Sequence, residues 1–331
     1  MPETKNVVMG IDMGGTSLRG LVVNAANEIL AVEKTPTNPK QAPDRLIADL
    51  AGWIEDVVRA SGIQRSQFAA VSIGAPGAVD PQSGIVYHAP NLGWDKVALG
   101  PKLSKLLRVP VLVENDVNVG VVGEYALGAA RGSRQLVGIF VGTGIGGGIL
   151  FDGVLYSGSR GAAAELGHNV LLVDGPRCGC GSRGCAEALA SRTAMERDVR
   201  AAIKEGAKSV VLKMMKERAK DRMTSSIIQR ALRKRDHVMQ EVVKRAQHYL
   251  GILVANVVNT LDPDCVVIGG GIAERLGEGF VAPIRRIAYE HFLRRHDAER
   301  VRVVPGALGD NAGPLGAVVL ARQRLHLGAK K

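Results

Sequence analysis

The sequence predicts an α/β protein built from two related halves. Three observations point there. Apolar runs of strand length alternate with amphipathic stretches of helix length. A strand, a glycine-rich turn and a returning strand occur near residue 10, and the same unit recurs near residue 140. The chain has 331 residues, which suits about two domains at roughly 150 residues each.

The elements follow in order. Residues 7–11 (VVMGI) read as a buried strand, DMGGTS as a glycine turn and LRGLVVN as the returning strand. ILAVEKTP is a third strand that ends at a proline-containing loop. From Asp44 to Ala60, Leu46, Ile47, Leu50, Ile54 and Val57 fall at helical spacing. AAVSIGAPG is a short apolar strand running into a Gly/Pro loop, Leu99–Leu107 a helix, and VPVLVEND a strand ending in acid. VNVGVVGEYALGAA then continues as a helix. The second half opens on residues 136–141 (LVGIFV), turns at GTGIGGG and returns through ILFDGVLYSG. Long helices are expected from 192 to 260, followed by a strand, glycine turn and helix start in DCVVIGGGIAE. VRVVPGAL is a late strand and AGPLGAVVLARQRL a closing helix. The repetition reads as an internal duplication, each half opening on a β-hairpin.

Composition narrows the function. Hydrophobic residues make up 46% and charged residues 23%, a globular balance that excludes a disordered tail, a collagen and a coiled coil. With 41 glycines and only 4% aromatics, the chain favours tight turns and backbone held close to ligand over an aromatic groove. No stretch approaches the ~20 apolar residues of a membrane helix. The opening MPETKNVVMGID has no apolar core of a secretory signal. No membrane partner and a cytoplasmic location are therefore expected. The first strand begins almost at once, so no DNA-binding module is expected ahead of it.

The net charge is +11, and Arg192–Arg245 holds 16 Lys/Arg against 7 Asp/Glu. Ile227, Ile228, Ala231 and Leu232 recur there at helical spacing, so the plain reading is a set of solvated amphipathic helices. The sharper reading is a surface for a polyanion such as polyphosphate. The lack of interleaved aromatics argues against stacking on single-stranded nucleic acid, and no nucleic-acid partner is expected.

Three glycine turns each follow an apolar strand: Gly14-Gly15-Thr16, Gly142-Thr143-Gly144 and Gly269-Gly270-Gly271. Without Cβ atoms, backbone N–H groups can approach phosphate oxygens, and Thr16 and Thr143 add hydroxyl donors. GTGIGGG lies in a hairpin rather than a strand-to-helix turn, which disfavours a dinucleotide fold, and no turn has the P-loop spacing. Asp12 either caps its turn or holds Mg²⁺ through water, since hard cations take carboxylate and phosphate oxygens. IDMGGT, FVGTGIGGG and VIGGGIAE together resemble the two phosphate motifs and the adenosine motif of the sugar kinase/actin-like ATPase superfamily. That resemblance covers nearly the whole chain. It implies two actin-like (ribonuclease H-like) α/β domains around a central cleft. The smaller would hold residues 1–117 with the closing helix 315–331 packed back on it, and the larger residues 118–314.

Glu114-Asn115-Asp116 ends a strand and opens a helix. Asp116 is either a plain N-cap or a general base that orients a hydroxyl toward a γ-phosphate; in a loose transition state an ordinary carboxylate suffices if well placed. Asn91 and Asn115 offer the donors and acceptors a polyol needs. Further on, His168 is followed by Cys178, Cys180 and Cys185. Three thiolates and an imidazole satisfy tetrahedral Zn²⁺ with no open position, which marks a structural site in a reducing compartment. Gly179, Gly181 and Gly184 allow a tight knuckle, whereas Cys265 reads as a small core residue.

GHNVLLVDGPRCGCGSRGCAE resembles the zinc motif of the ROK family (repressors, open reading frames, kinases). The resemblance implies that His168, Cys178, Cys180 and Cys185 bind zinc, and that Glu165, His168 and Glu187 contact sugar hydroxyls with Asn91, Asn115 and Asp116. It implies an ATP-dependent hexose kinase with Mg²⁺, acting on glucose at the 6-hydroxyl. N-acetylmannosamine, N-acetylglucosamine, mannose, fructose, allose or a polyphosphate donor are the alternatives, and a sugar-responsive repressor is the distant one. Family analogy also implies a homodimer or homotetramer. The chain departs from the pattern at Ala164, where Gly is expected before the Glu, and at Ala186, where Leu is frequent.

Overall fold

The computed structural model of the chain describes residues 5–327. The chain divides into two compact units. The first runs to Arg131 and includes Ser157–Ala163 and the stretch from Asp310 onward; the second comprises Gly132–Tyr156 and Ala164–Gly309.

The first unit contains β1 (Val7–Met13), β2 (Ser17–Val23), β3 (Ile29–Pro36), α1 (Pro43–Ala60), β4 (Phe68–Ala75), β5 (Ala78–Asp80), β6 (Ile85–Ala89), β7 (Trp94–Val97), α2 (Leu99–Leu107), β8 (Val111–Asn115) and α3 (Asp116–Ala126). Its main sheet has the order β3-β2-β1-β4-β8. The β1–β2 hairpin is antiparallel, whereas β4 and β8 join in parallel. β4 is buried along its whole length, as expected for a parallel strand covered on both faces. α1 starts at Pro43, whose fixed φ suits a first helical turn. It buries Leu46, Ile47, Leu50, Ile54 and Val57, the residues whose spacing predicts it.

The second unit contains β9 (Gln135–Val141), β10 (Ile145–Phe151), β11 (Val154–Leu155), α4 (Ala186–Ala190), α5 (Arg192–Lys204), α6 (Val211–Glu217), α7 (Ser225–Arg233), α8 (His237–Leu261), β12 (Cys265–Gly269), α9 (Gly270–Leu276), α10 (Glu278–His291) and β13 (Arg302–Pro305). Its sheet runs β11-β10-β9-β12-β13. Both sheets thus place an antiparallel hairpin beside two parallel strands, which is the duplication that the sequence suggests. The basic helices α5–α8 bury an apolar side that includes Met195, Val199, Ile227, Ile228 and Leu250.

The closing helix α11 (Ala312–Leu325) returns to the first unit and packs on α3 and β1. At Gly316 a Cβ would lie 1.7 Å from the Val119 carbonyl oxygen, and at Gly123 one would lie 2.3 Å from that of Ala312. The two helices cross backbone to backbone, a distance only glycine permits. This packing holds α3 and residues 310–314 in the first unit, whereas the sequence reading divides the chain at 117 and 314.

The sequence reading also passes over a second, three-stranded sheet, β5-β6-β7. Its signal was DPQSG: Asp80 accepts the Gln82 N–H at 3.0 Å and the Ser83 hydroxyl at 2.6 Å, closing the β5–β6 turn. Among the described residues, no helix is long and apolar enough to cross a membrane.

Candidate active site

In the first unit the candidates gather at one end of three neighbouring parallel strands. Asp12 on β1 pairs with Gly74 on β4, which pairs with Glu114 on β8. A Cβ on Gly74 would lie 3.3 Å from the Asp116 Cα, so the bare glycine lets α3 begin close to the sheet. The helix is capped by Asn115, not by Asp116. Asn115 Oδ1 accepts the Val117 N–H at 2.9 Å and the Asn118 N–H at 3.1 Å, and its Nδ2 donates to the Gly77 carbonyl at 3.1 Å. Asp116 Oδ1 shares the Val117 N–H at 2.9 Å. Beneath this turn, Glu114 accepts from Asn118 Nδ2 at 3.0 Å and pairs with Arg324 of α11 at 2.6 Å. No sequence signal announces that buried pair, whose partners lie 210 residues apart.

The two aspartates are electrostatically strained. Burial, reinforced by the charge of Asp12, pushes the Asp116 carboxyl up to about 7, against the Val117 N–H and the Asn115 side chain. Burial and then Asp310 push Asp12 up to about 6, while Arg19 and Lys34 oppose. Acids whose negative charges are mutually unfavourable are relieved by a proton or by a hard cation. The donor set around Asp12 therefore fits Mg²⁺.

Beside Asp12, the first glycine turn is closed by Gly14 N–H donating to the Ser17 carbonyl at 3.0 Å. Thr37 braces it, its hydroxyl donating to the Gly14 carbonyl at 2.9 Å and its N–H to that of Thr16 at 3.0 Å. Asn91, on the short turn Pro90–Leu92, lies against Gly15: a Cβ there would come within 3.2 Å of the Asn91 Cβ. Asp12, Gly14–Thr16, Asn91, Asn115 and Asp116 thus form one neighbourhood.

In the second unit the turn Gly142–Gly144 joins β9 to β10. Glu187 Oε2 accepts the Ile145 N–H at 3.0 Å, and a Cβ on Gly144 would strike that oxygen at 2.2 Å. The other carboxylate oxygen lies 3.6 Å from Cys178 Sγ. Glu187 therefore spans the glycine turn and the cysteine cluster. The start of α5 supplies further braces: Thr193 Oγ1 donates to the Thr143 carbonyl at 2.8 Å, and the Arg192 guanidinium donates to the Thr143 hydroxyl. Gly269–Gly271 lies where β12 enters α9, and β12 pairs with β9, so this turn backs onto Val141 beside the glycine turn.

The metal-ligating atoms of His168, Cys178, Cys180 and Cys185 all lie within 4.8 Å of one another. Cys180 and Cys185 Sγ are 3.7 Å apart, as are Cys178 Sγ and His168 Nδ1. A tetrahedron with ~2.3 Å metal–sulfur bonds has edges of about 3.8 Å, so the set fits Zn²⁺. His168 Nε2 faces Glu165 Oε2 at 4.0 Å. Gly181 and Gly184 adopt positive φ in the knuckle, whereas Gly179 does not. Ala164 also sits at φ +64°, the reason glycine is expected there. Cys265 is fully buried in β12, apart from the cluster.

Residues 8–324 match the family model of the ROK family. The chain belongs to the ROK family. A glucokinase of Thermotoga maritima is 34% identical, over 98% of this ROK chain and 99% of that protein. A ROK family glucokinase of Streptomyces griseus, solved with glucose and AMPPNP, is 32% identical, covers 96% of this chain and 99% of that one, and superposes with a TM-score of 0.83. A putative xylose repressor of Caldicellulosiruptor is 31% identical over 96% of this chain and 78% of that protein. The α/β sugar-kinase fold is common to this chain and the solved kinase.

Proposed function

We propose that the protein is an ATP-dependent glucokinase that transfers the γ-phosphoryl group of ATP to the 6-hydroxyl of glucose. The observation that carries this reading is the acid neighbourhood at α3. Asn115 takes both the Val117 and Asn118 amides, so the helix does not need Asp116 as its cap, and the Asp116 carboxyl, pushed up to about 7, is able to exchange a proton near neutral pH. Full-length relatives named glucokinase support the choice of substrate and donor.

Asp116 orients the sugar hydroxyl and takes its proton as that oxygen bonds to the γ-phosphorus and the bond to the β,γ-bridging oxygen breaks, releasing ADP. Asp12 would hold Mg²⁺, and the ion would supply charge neutralisation to the phosphates when bound. N–H groups of Gly15, Thr16, Thr143 and Gly144 serve the phosphate oxygens, whereas the N–H groups of Gly14 and Gly142, expected to do the same, are spent on closing their own turns; Gly269–Gly271 borders the adenosine. Asn91, Asn115, Glu165, His168 and Glu187 bind the sugar. Cys178, Cys180, Cys185 and His168 Nδ1 would hold structural Zn²⁺. With one ring nitrogen taken up in this way, His168 Nε2 would be left for a hydroxyl.

A cytoplasmic setting suits a thiolate metal site and an ATP donor, and the family implies a homodimer or homotetramer. The test is a coupled assay of the purified protein with glucose, N-acetylmannosamine, N-acetylglucosamine, mannose, fructose and allose, each with ATP or polyphosphate. Glucose with ATP is expected to give the highest kcat/KM. A metal-replete sample that phosphorylates no monosaccharide overturns the reading.

A further inference from the structure

We propose that Arg192 and Arg222 form a cationic clamp for the terminal phosphates of the phosphoryl donor, beside the turn Gly142–Gly144. This assignment rests on the kinase reading for the donor's identity, but on the geometry of the second unit alone for its anionic character.

Arg192 is the first residue of α5, where the helix dipole is positive and a cation is disfavoured. Its guanidinium is half-buried, and its one described side-chain partner is neutral, the Thr143 hydroxyl. Burial and the nearby Arg222 push its pKa down, and the charge of Glu196 only partly opposes them. Arg222 comes from the loop between α6 and α7. It donates to Thr193 Oγ1 at 3.3 Å and to Glu196 Oε2 at 3.0 Å. Glu196 does not neutralise the group, since its other oxygen takes Arg200 at 2.9 Å. Three arginines thus face one carboxylate. Glu187, the acid that meets the same turn, is held on the Ile145 N–H. Positive charge left uncompensated beside a glycine turn is the environment a polyanion completes.

The hydrogen-bond bookkeeping at Thr143 points the same way. Its hydroxyl oxygen accepts from Arg192 and its carbonyl from Thr193. The hydroxyl proton is therefore free to donate, and the exposed side chain offers it outward. A second unmet polar group lies at the other glycine turn of this unit, Gly269–Gly271. The buried Ser225 hydroxyl, three residues after Arg222, has no hydrogen-bond partner and would lie 3.2 Å from a Cβ on Gly271.

The test is direct binding by calorimetry of AMP, ATP and inorganic tripolyphosphate to wild type, Arg192→Gln, Arg192→Ala and Arg222→Ala, with glucose binding and melting temperature measured alongside. The clamp predicts that each variant loses about tenfold or more in tripolyphosphate and ATP affinity, while AMP and glucose affinities stay near wild type. Arg192→Gln keeps a donor for Thr143 but not the charge. If it binds tripolyphosphate as wild type does, Arg192 only braces the turn and the proposal fails. Equal losses for AMP and ATP also overturn it, because they report a misfolded nucleotide site. Hexose phosphorylation is scored separately. A wild type that binds tripolyphosphate through these arginines yet phosphorylates no sugar defeats the glucokinase reading and leaves the clamp standing.

Discussion

The two glycine turns occupy the same place in two sheets of the same strand order, yet a group of aspartates adjoins one and a pair of arginines the other. The turn at Gly14–Thr16 is flanked by Asp12, with Asp310 and Asp116 close enough to raise or be raised by it. The turn at Gly142–Gly144 is flanked by Arg192, with Arg222 behind it. Their supports differ too. Thr37 and Asn91, neutral groups of the same unit, brace the first. The second leans through Glu187 on the cysteine cluster. A duplicated scaffold thus fixes where a turn sits, and the residues packed behind it decide whether a proton and hard cation or a phosphate chain is welcome there.

Four experiments break or sharpen that contrast. The largest effect is expected from removing a metal ligand. Cys185→Ser, or chelation of wild type, should abolish stoichiometric zinc and lower the melting temperature. Hydrogen exchange should then accelerate at the Ile145 amide, while the Gly14 amide keeps its protection. Equal acceleration at both amides would mean that the knuckle does not support the second turn selectively.

Asp116→Asn comes next. Glucose and ATP should still bind, but turnover should fall at least about a hundredfold. Near wild-type turnover removes Asp116 from the base role.

The third effect is on pH. The proposed base role requires Asp116 ionised, so kcat/KM for glucose should rise with pH through about 7, the value to which burial pushes its carboxyl. The sign for stability is the reverse. An acid whose folded pKa exceeds its unfolded value binds its proton more tightly when folded. Its contribution to stability is greatest in acid and declines as pH rises from 3.8 through about 7. Denaturant unfolding at pH 5 and pH 8 should show that decline in wild type, and Asp116→Asn should reduce it.

The smallest effect is expected at Ala164. A left-handed conformation costs a residue with a Cβ about 1 kcal/mol, and Ala164 sits at φ +64°. Ala164→Gly should raise stability by up to about that amount, read as a modest increase in melting temperature. An unchanged or lower melting temperature would show that the added freedom of the unfolded chain offsets the strain relieved.

Much of the fold was legible because its signals are local. The third strand matches its predicted bounds, Ile29–Pro36, and the helix at Leu99–Leu107 does likewise. The short strands β5, β6 and β7 were not legible, because three to five residues carry too little periodicity to stand apart from a loop. In the candidate site, the gathering of His168, Cys178, Cys180 and Cys185 was readable from their spacing. The division of labour at Asn115-Asp116 was not, since either residue suits an N-cap by type and only the backbone path decides which one serves.

The amino-acid sequence by itself determined the α/β class, the repeated hairpin, the three glycine turns and the His/Cys set. Each follows from side-chain periodicity or from the few residue types able to do that job. Tertiary structure alone decided the charge around each turn. Arg324 reaches Glu114, Asp310 presses on Asp12, and Arg222 joins Arg192 only after distant segments pack together. Coulombic and desolvation energies depend on distance through space and on what excludes water, and neither is written in the order of residues along a chain.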